Sequence, residues 1–184
     1  MRTFYQRVPA VIGIVVFSLV ISACSSHKNR WSKYADRSFS IRMPEGRKEY
    51  DKMLVTSFGK QNVHFIEWRP ESLELNKFKL FQVSYTDVPA RFTSDANKMN
   101  ESLDSSINVR KRDFTELEVI SQPIEMAGYP GRTFILNLPA DNVITIVKQV
   151  IAGNRRYDLT VVAKKDYPTN SEMNDFFNSF QVFR

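Results

Sequence analysis

Few side chains in this chain are equipped for chemistry, and their types limit what that chemistry can be. Among 184 residues there is one cysteine, Cys24, and there are two histidines, His27 and His64. A single thiol excludes a disulfide framework and a zinc site built on cysteines, since both need several. His64 lies on a strand-like run with Ile66 and Trp68 on the same face, and no second ligand stands at metal-binding spacing. It reads as a structural or surface histidine, and His27 as a solvated one. Glu71 and Glu74 are neighbours and Glu116 and Glu118 alternate, but nothing marks a pair held apart across a cleft as acid/base hydrolysis needs. Nucleophile-elbow, phosphate-loop and zinc-protease patterns are missing. The expectation is a protein that is not an enzyme, with no catalytic residue, metal or cofactor.

Cys24 is the exception, because of what precedes it. Arg2 and Arg7 form a positive start with no acidic residue, and Val8 to Ile21 is an apolar run broken only by Pro9, Gly13 and Ser18. That is short for a membrane span, which takes about 20 residues, and it suits the apolar region of an export signal. The run closes on Ile21-Ser22-Ala23-Cys24, which resembles a bacterial lipobox. The resemblance implies a signal peptide over 1–23, cleavage before Cys24, and lipidation of the Cys24 thiol with fatty-acyl chains such as palmitate. Small residues before the cut suit a narrow peptidase subsite, and a thiol is the soft nucleophile that diacylglyceryl transfer needs. The competing reading is an uncleaved anchor with a coincidental cysteine. Lipidation also accounts for a lone cysteine in an exported chain. Serine rather than aspartate at position 25 points to the outer membrane in a bacterium that has two.

Charge then narrows the partners. The whole chain carries 26 basic and 20 acidic residues, and without Arg2 and Arg7 the balance is 24 to 20. In an envelope compartment a modest positive balance suits anionic phospholipid or another envelope polymer, and nucleic acid is not expected. Residues 24–30 form a short tether; six extended residues after Cys24 reach about 20 Å, so the domain sits close to the membrane. Lys28, Arg30 and Lys33 are candidate contacts to an anionic surface. Arg110, Lys111 and Arg112, at the end of a predicted helix, and Arg155 and Arg156, beside a predicted turn, are further candidates. For Arg110–Arg112 the simpler reading is cations at the negative end of a helix dipole. For Arg155, Arg156, Lys164 and Lys165 it is solvated strand ends.

Residues 31–184 read as one domain, long enough to bury close to 70% of its unfolded surface. Alternation predicts strands at Ser38–Met43, Lys52–Phe58, Val63–Arg69, Lys77–Asp87, Glu116–Met126, Arg132–Leu138, Val143–Ala152 and Tyr157–Ala163. Turns are predicted at 59–62, at Tyr129-Pro130-Gly131 as type II, and at Gly153-Asn154. A helix starts at Thr93 or Ser94, with Ala96, Met99, Leu103 and Ile107 on one stripe. A second runs from Ser171 to Phe180 with Met173, Phe176, Phe177 and Phe180 on its stripe. The last three long strands are apolar on both faces, which implies a sheet covered on both sides. The expected fold class is α/β, an α/β/α sandwich with a central, mainly antiparallel sheet covered by helices.

Several stretches resemble the PsbP-like family, whose fold is shared with the Ran-binding protein Mog and with DcrB-type bacterial lipoproteins. They are Phe39-Ser40-Ile41-Arg42-Met43-Pro44, the run from Pro123 to Arg132, the run Gly153-Asn154-Arg155-Arg156-Tyr157-Asp158-Leu159-Thr160-Val161, and Phe176 to Val182. The resemblance covers essentially residues 31–184 and rests on turns and core strands. It implies an antiparallel sheet between helices and a mostly non-enzymatic family of assembly, stability and interaction factors, often attached to membranes. The functional expectation is a lipid-anchored envelope lipoprotein facing the periplasm, serving as an interaction or assembly module for an unknown envelope protein. The alternative is a periplasmic carrier of a lipid or small ligand, suggested by the Phe-rich last helix.

Overall fold

The computed structural model describes residues 30–56, 58–72, 77–113, 118–137, 142–166 and 170–183, and side chains from 106 to 113 fall outside that description. Two antiparallel sheets form. The larger has seven strands in the order β3-β4-β5-β9-β8-β7-β6. These are β3 (Lys48–Thr56), β4 (Gly59–Trp68), β5 (Phe78–Asp87), β6 (Glu118–Met126), β7 (Tyr129–Asn137), β8 (Val143–Ala152) and β9 (Arg155–Lys164). The smaller has three, β1 (Trp31–Ala35), β2 (Phe39–Pro44) and the two-residue β10 (Gln181–Val182), in the order β1-β2-β10. Helix α1 (Ala96–Asp113) lies against β7 and β8, and helix α2 (Ser171–Asn178) against β2.

The expected sandwich is therefore met only in part. The sheet is antiparallel, but one of its faces is covered by a second sheet together with α2, not by a helix alone. The reason is the Phe39–Pro44 segment. Phe39, Ile41 and Met43 are almost fully buried, and they bury against the large sheet instead of extending it. Phe39 sits at the centre of an aromatic cluster, 5.7 Å from Tyr85, 5.4 Å from Tyr157 and 5.7 Å from Phe180 between ring centroids. Phe81 is packed the same way against Trp31 and Phe176. Edge and tilted arrangements of this kind favour aromatic pairs beyond the area they bury. Met173, Phe176 and Phe177 of α2 point into the same core, as their helical spacing predicts.

The other face of the large sheet meets α1, on which Leu103 is fully buried. Helix α1 begins one residue after Asp95, whose carboxylate accepts from Lys98 N–H at 2.8 Å, so Asp95 takes the capping role expected of Thr93 or Ser94. That hydrogen bond holds the Asp95 carboxyl below the usual aspartate range.

Two predicted turns move. Thr56 pairs with Gly59, so residues 59–62 belong to β4 and are not the β3–β4 turn. Met126 pairs with Tyr129, so the β6–β7 turn is Ala127-Gly128, and Tyr129, Pro130 and Gly131 belong to β7. Both turn residues have positive φ, 55° at Ala127 and 80° at Gly128, the pattern of a type I′ hairpin. A side chain in that conformation costs about 1–2 kcal/mol, least for asparagine. Ala127→Asn is therefore expected to stabilise the fold by about 0.5–1 kcal/mol, read as a melting temperature raised by about 1–4 °C. An unchanged or lower melting temperature contradicts the type I′ assignment. The Gly153-Asn154 turn is where the sequence predicts it, closed by the Ala152–Arg155 pair.

Candidate functional site

Successive strand residues face opposite sides of a sheet, and register decides which of them meet. Asp51 of β3 is opposite His64 of β4, His64 is opposite Tyr85 of β5, and Tyr85 is opposite Tyr157 of β9. One row of polar side chains thus crosses four strands on the face covered by the small sheet. The His64 Nδ1 donates to the Asp51 carboxylate across 2.7 Å, and its Nε2 faces Glu49 at 3.7 Å. The imidazole lies 4.8 Å from the Tyr85 ring. With a carboxylate at each nitrogen, His64 clamps β3 to β4.

Arg155 closes the row. Its Nε donates to Asp87 at 3.0 Å, its Nη1 donates to the Ser38 hydroxyl at 3.1 Å, and its guanidinium stands 4.8 Å from the centre of the Tyr85 ring. It thereby ties β9 to β5 and to the β1–β2 turn. Asp36 in that turn accepts from the backbone N–H of Phe39 at 2.9 Å and from the Ser38 hydroxyl. Burial, with the nearby Asp36 charge, pushes the Tyr85 hydroxyl above the usual tyrosine range. Burial and the hydrogen bond to Glu49 do the same to Tyr34, whose hydroxyl donates to Glu49 at 3.0 Å and bridges the two sheets. Both phenols keep their protons as donors.

Two clefts flank Arg155. One, of about 320 Å³, is lined by Asp51, His64, Tyr85 and Asp87; the other, of about 400 Å³, by Ser38, Tyr129, Asn154 and Phe183. Exposed apolar side chains lie at the same end: Met53 and Val55 on β3, 58% and 76% exposed, with Met53 opposite Asn62 of the first cleft, and Phe183, which lines the second. The chain enters the domain at the other end, where Trp31 packs on Phe81 and Arg30 O accepts from Glu45 N–H. A third cleft, of about 290 Å³, also lies toward that end and is lined by Ile120, Ile135, Ile144 and Lys165. Among the described residues no group of three His, Cys, Asp or Glu converges as a metal ion would require, and no helix is long and apolar enough to cross a membrane.

The basic residues singled out in the sequence are not gathered into one surface. Ile21, Ser22, Ala23, Cys24 and Lys28 lie outside the described residues, and Arg110, Lys111 and Arg112 belong to α1 in the part whose side chains do. Arg30 and Lys33 are exposed near the chain entry, with Lys33 opposite Arg42 on β2. Arg155 is at the far end with its charge committed to Asp87. Arg156 is not a solvated strand end: it is buried, 8% exposed, on the opposite face, and pairs with Asp158 at 3.5 Å. Adjacent strand residues cannot share a rim, so that pair of arginines divides between two faces.

No family model matches the chain, and no curated protein sequence matches it. Among solved structures it is similar to the cyanobacterial PsbP protein, CyanoP, of Synechocystis sp. PCC 6803. The match has a TM-score of 0.59 and 12% identity, over 89% of this chain and 99% of that one. At that identity the likeness speaks for architecture alone: the chain has a PsbP-like fold.

Proposed function

We propose that this protein is an envelope lipoprotein, held on the membrane by lipid at Cys24 after loss of residues 1–23, whose domain serves as a non-enzymatic interaction or assembly module. In a two-membrane bacterium it faces the periplasm from the outer membrane. The observation that carries the reading is the separation of the two ends. The chain enters beside Trp31, whereas the Arg155 clefts and the exposed Met53, Val55 and Phe183 lie at the other end. A tether of six residues after Cys24 would hold the first end to the bilayer and present the second to partners. The clamped His64 and the committed Arg155 favour a rigid contact surface over a reaction centre.

A carrier role has one observation in its favour, the apolar cleft floored by Ile135 and Ile144. The Phe-rich helix that suggested it argues the other way, because Phe176, Phe177 and Phe180 fill the core instead of lining a cavity. A photo-crosslinking residue in place of Val55, compared with one in place of Ile120, tests the module reading in native membranes. The expected result is one recurrent protein neighbour at position 55 and none at 120. Absence of any recurrent protein neighbour at 55 contradicts it.

A further inference from the structure

The two edges of the large sheet are built differently. β6 carries Pro123 in mid-strand, which removes a backbone donor and blocks pairing along that edge. β3 has nine residues without proline, all paired to β4 on one side and, among the described residues, to no strand on the other. It also carries three of the exposed large apolar side chains, Tyr50, Met53 and Val55. On one face of β3 the charges are already engaged: Glu49 accepts from Tyr34, and Asp51 holds His64. On the other face Lys48 and Lys52 flank Tyr50, and neither lysine has an ion-pair partner among the described residues.

We propose that the outer edge of β3 binds an extended segment of a partner protein as an added strand, with acidic residues opposite Lys48 and Lys52 and apolar residues opposite Tyr50, Met53 and Val55. Main-chain hydrogen bonds supply the attachment, and the alternating side chains supply the selectivity. The spacing follows from the strand period. The two acidic positions are four residues apart with an apolar one midway, and the positions facing Met53 and Val55 continue the pattern. The charge pattern also sets the register, which a purely apolar edge would leave free to slip. This inference rests on reading the domain as an interaction module and names the class of partner it takes.

The test uses the full-length protein in detergent micelles and a fluorescein-labelled eight-residue probe peptide. The probe has valine at its first, third and sixth positions, glutamate at its fourth and eighth, and threonine elsewhere. A second probe replaces both glutamates with lysine. Fluorescence anisotropy is expected to show the glutamate peptide binding with Kd below about 1 mM and roughly tenfold or more tighter than the lysine peptide. The double variant K48E/K52E should reverse that preference. Amide exchange should slow in 48–56 and not in 118–126 when the glutamate peptide is added. No binding, or binding indifferent to the charge swap, overturns the proposal. So does a mass by light scattering twice that of the monomer that Val55→Lys returns to one, because the edge would then be taken by a second copy. Cys24 plays no part in these readouts, so a failed peptide overturns the edge and leaves the anchor standing, and an unlipidated Cys24 does the reverse.

Discussion

Asp158→Ala is expected to destabilise the fold by about 3–5 kcal/mol, the usual cost of removing one partner from a buried charge pair. Asp158 is 9% exposed on the sheet face that meets α1 and receives Gln149 Nε2 at 2.7 Å while facing Arg156 Nε at 3.5 Å. Gln149 is 1% exposed and Arg156 8%. Alanine would leave the guanidinium buried against the Phe58 ring, 5.2 Å from its centre, with no other partner among the described residues. It would also deprive Gln149 of a charge-assisted bond. Replacing the pair together, as Arg156→Met with Asp158→Leu, is expected to cost much less, since no orphan charge remains. Urea unfolding of the two variants checks this. A single-variant loss below about 1 kcal/mol, or a double variant as damaged as the single, contradicts the assignment of a buried coupled pair.

Gly131→Val is expected to cost about 2–4 kcal/mol, for a reason the sequence alone misplaces. The Tyr129-Pro130-Gly131 run looks like a type II turn, in which Gly131 would need positive φ. In the structure Gly131 is a strand residue opposite Val150 on β8, and its φ is not positive. Any Cβ there would collide with the Gln149 carbonyl oxygen of the neighbouring strand and crowd Ile124 at 3.4 Å. The obstacle is backbone inside a ladder, so the sheet itself must shift, and overpacking of this kind costs about 1–3 kcal/mol or more. Even Gly131→Ala should lower the melting temperature by several degrees. An unchanged melting temperature for Gly131→Ala would show that β7 and β8 do not approach so closely.

What the sequence made legible follows from the range of each interaction. The β8 strand, the Gly153-Asn154 hairpin, the stripe of α2 and the antiparallel character all depend on neighbours close in sequence, and local patterns report them. The small sheet does not. β10 has two residues, and Gln181 pairs with Ser40 across nearly the whole chain, a contact that no periodicity announces. The Ala127-Gly128 turn was hidden because alanine is a poor residue for positive φ, while the adjacent Pro-Gly pair imitates a turn of another type. The polar row at Asp51, His64, Tyr85 and Arg155 needs three strand registers at once, which hydrophobic alternation does not fix. The separation of Arg155 from Arg156 was available from strand period alone.

The architecture also explains why the two ends differ. β1 runs from Trp31, over Phe81, to Tyr34, beside Phe39, so a single strand carries the chain from the entry to the polar row. The large sheet then ends in the Ala127-Gly128 and Gly153-Asn154 turns beside the second cleft. The Arg155 clefts and the exposed Met53, Val55 and Phe183 thus lie at the end of the domain away from Trp31.

The claim on which the account most depends is attachment through Cys24. Intact mass spectrometry of the protein extracted from its native membranes tests it directly. The account predicts a chain beginning at residue 24 with a mass excess equal to a diacylglyceryl group and a further acyl chain, and Cys24→Ala should yield only the unprocessed, unlipidated precursor. Several acyl chains at about 0.8 kcal/mol per buried CH₂ would anchor it far more firmly than one chain could. A wild-type chain that retains residues 1–23 and an unmodified thiol at Cys24 would contradict it.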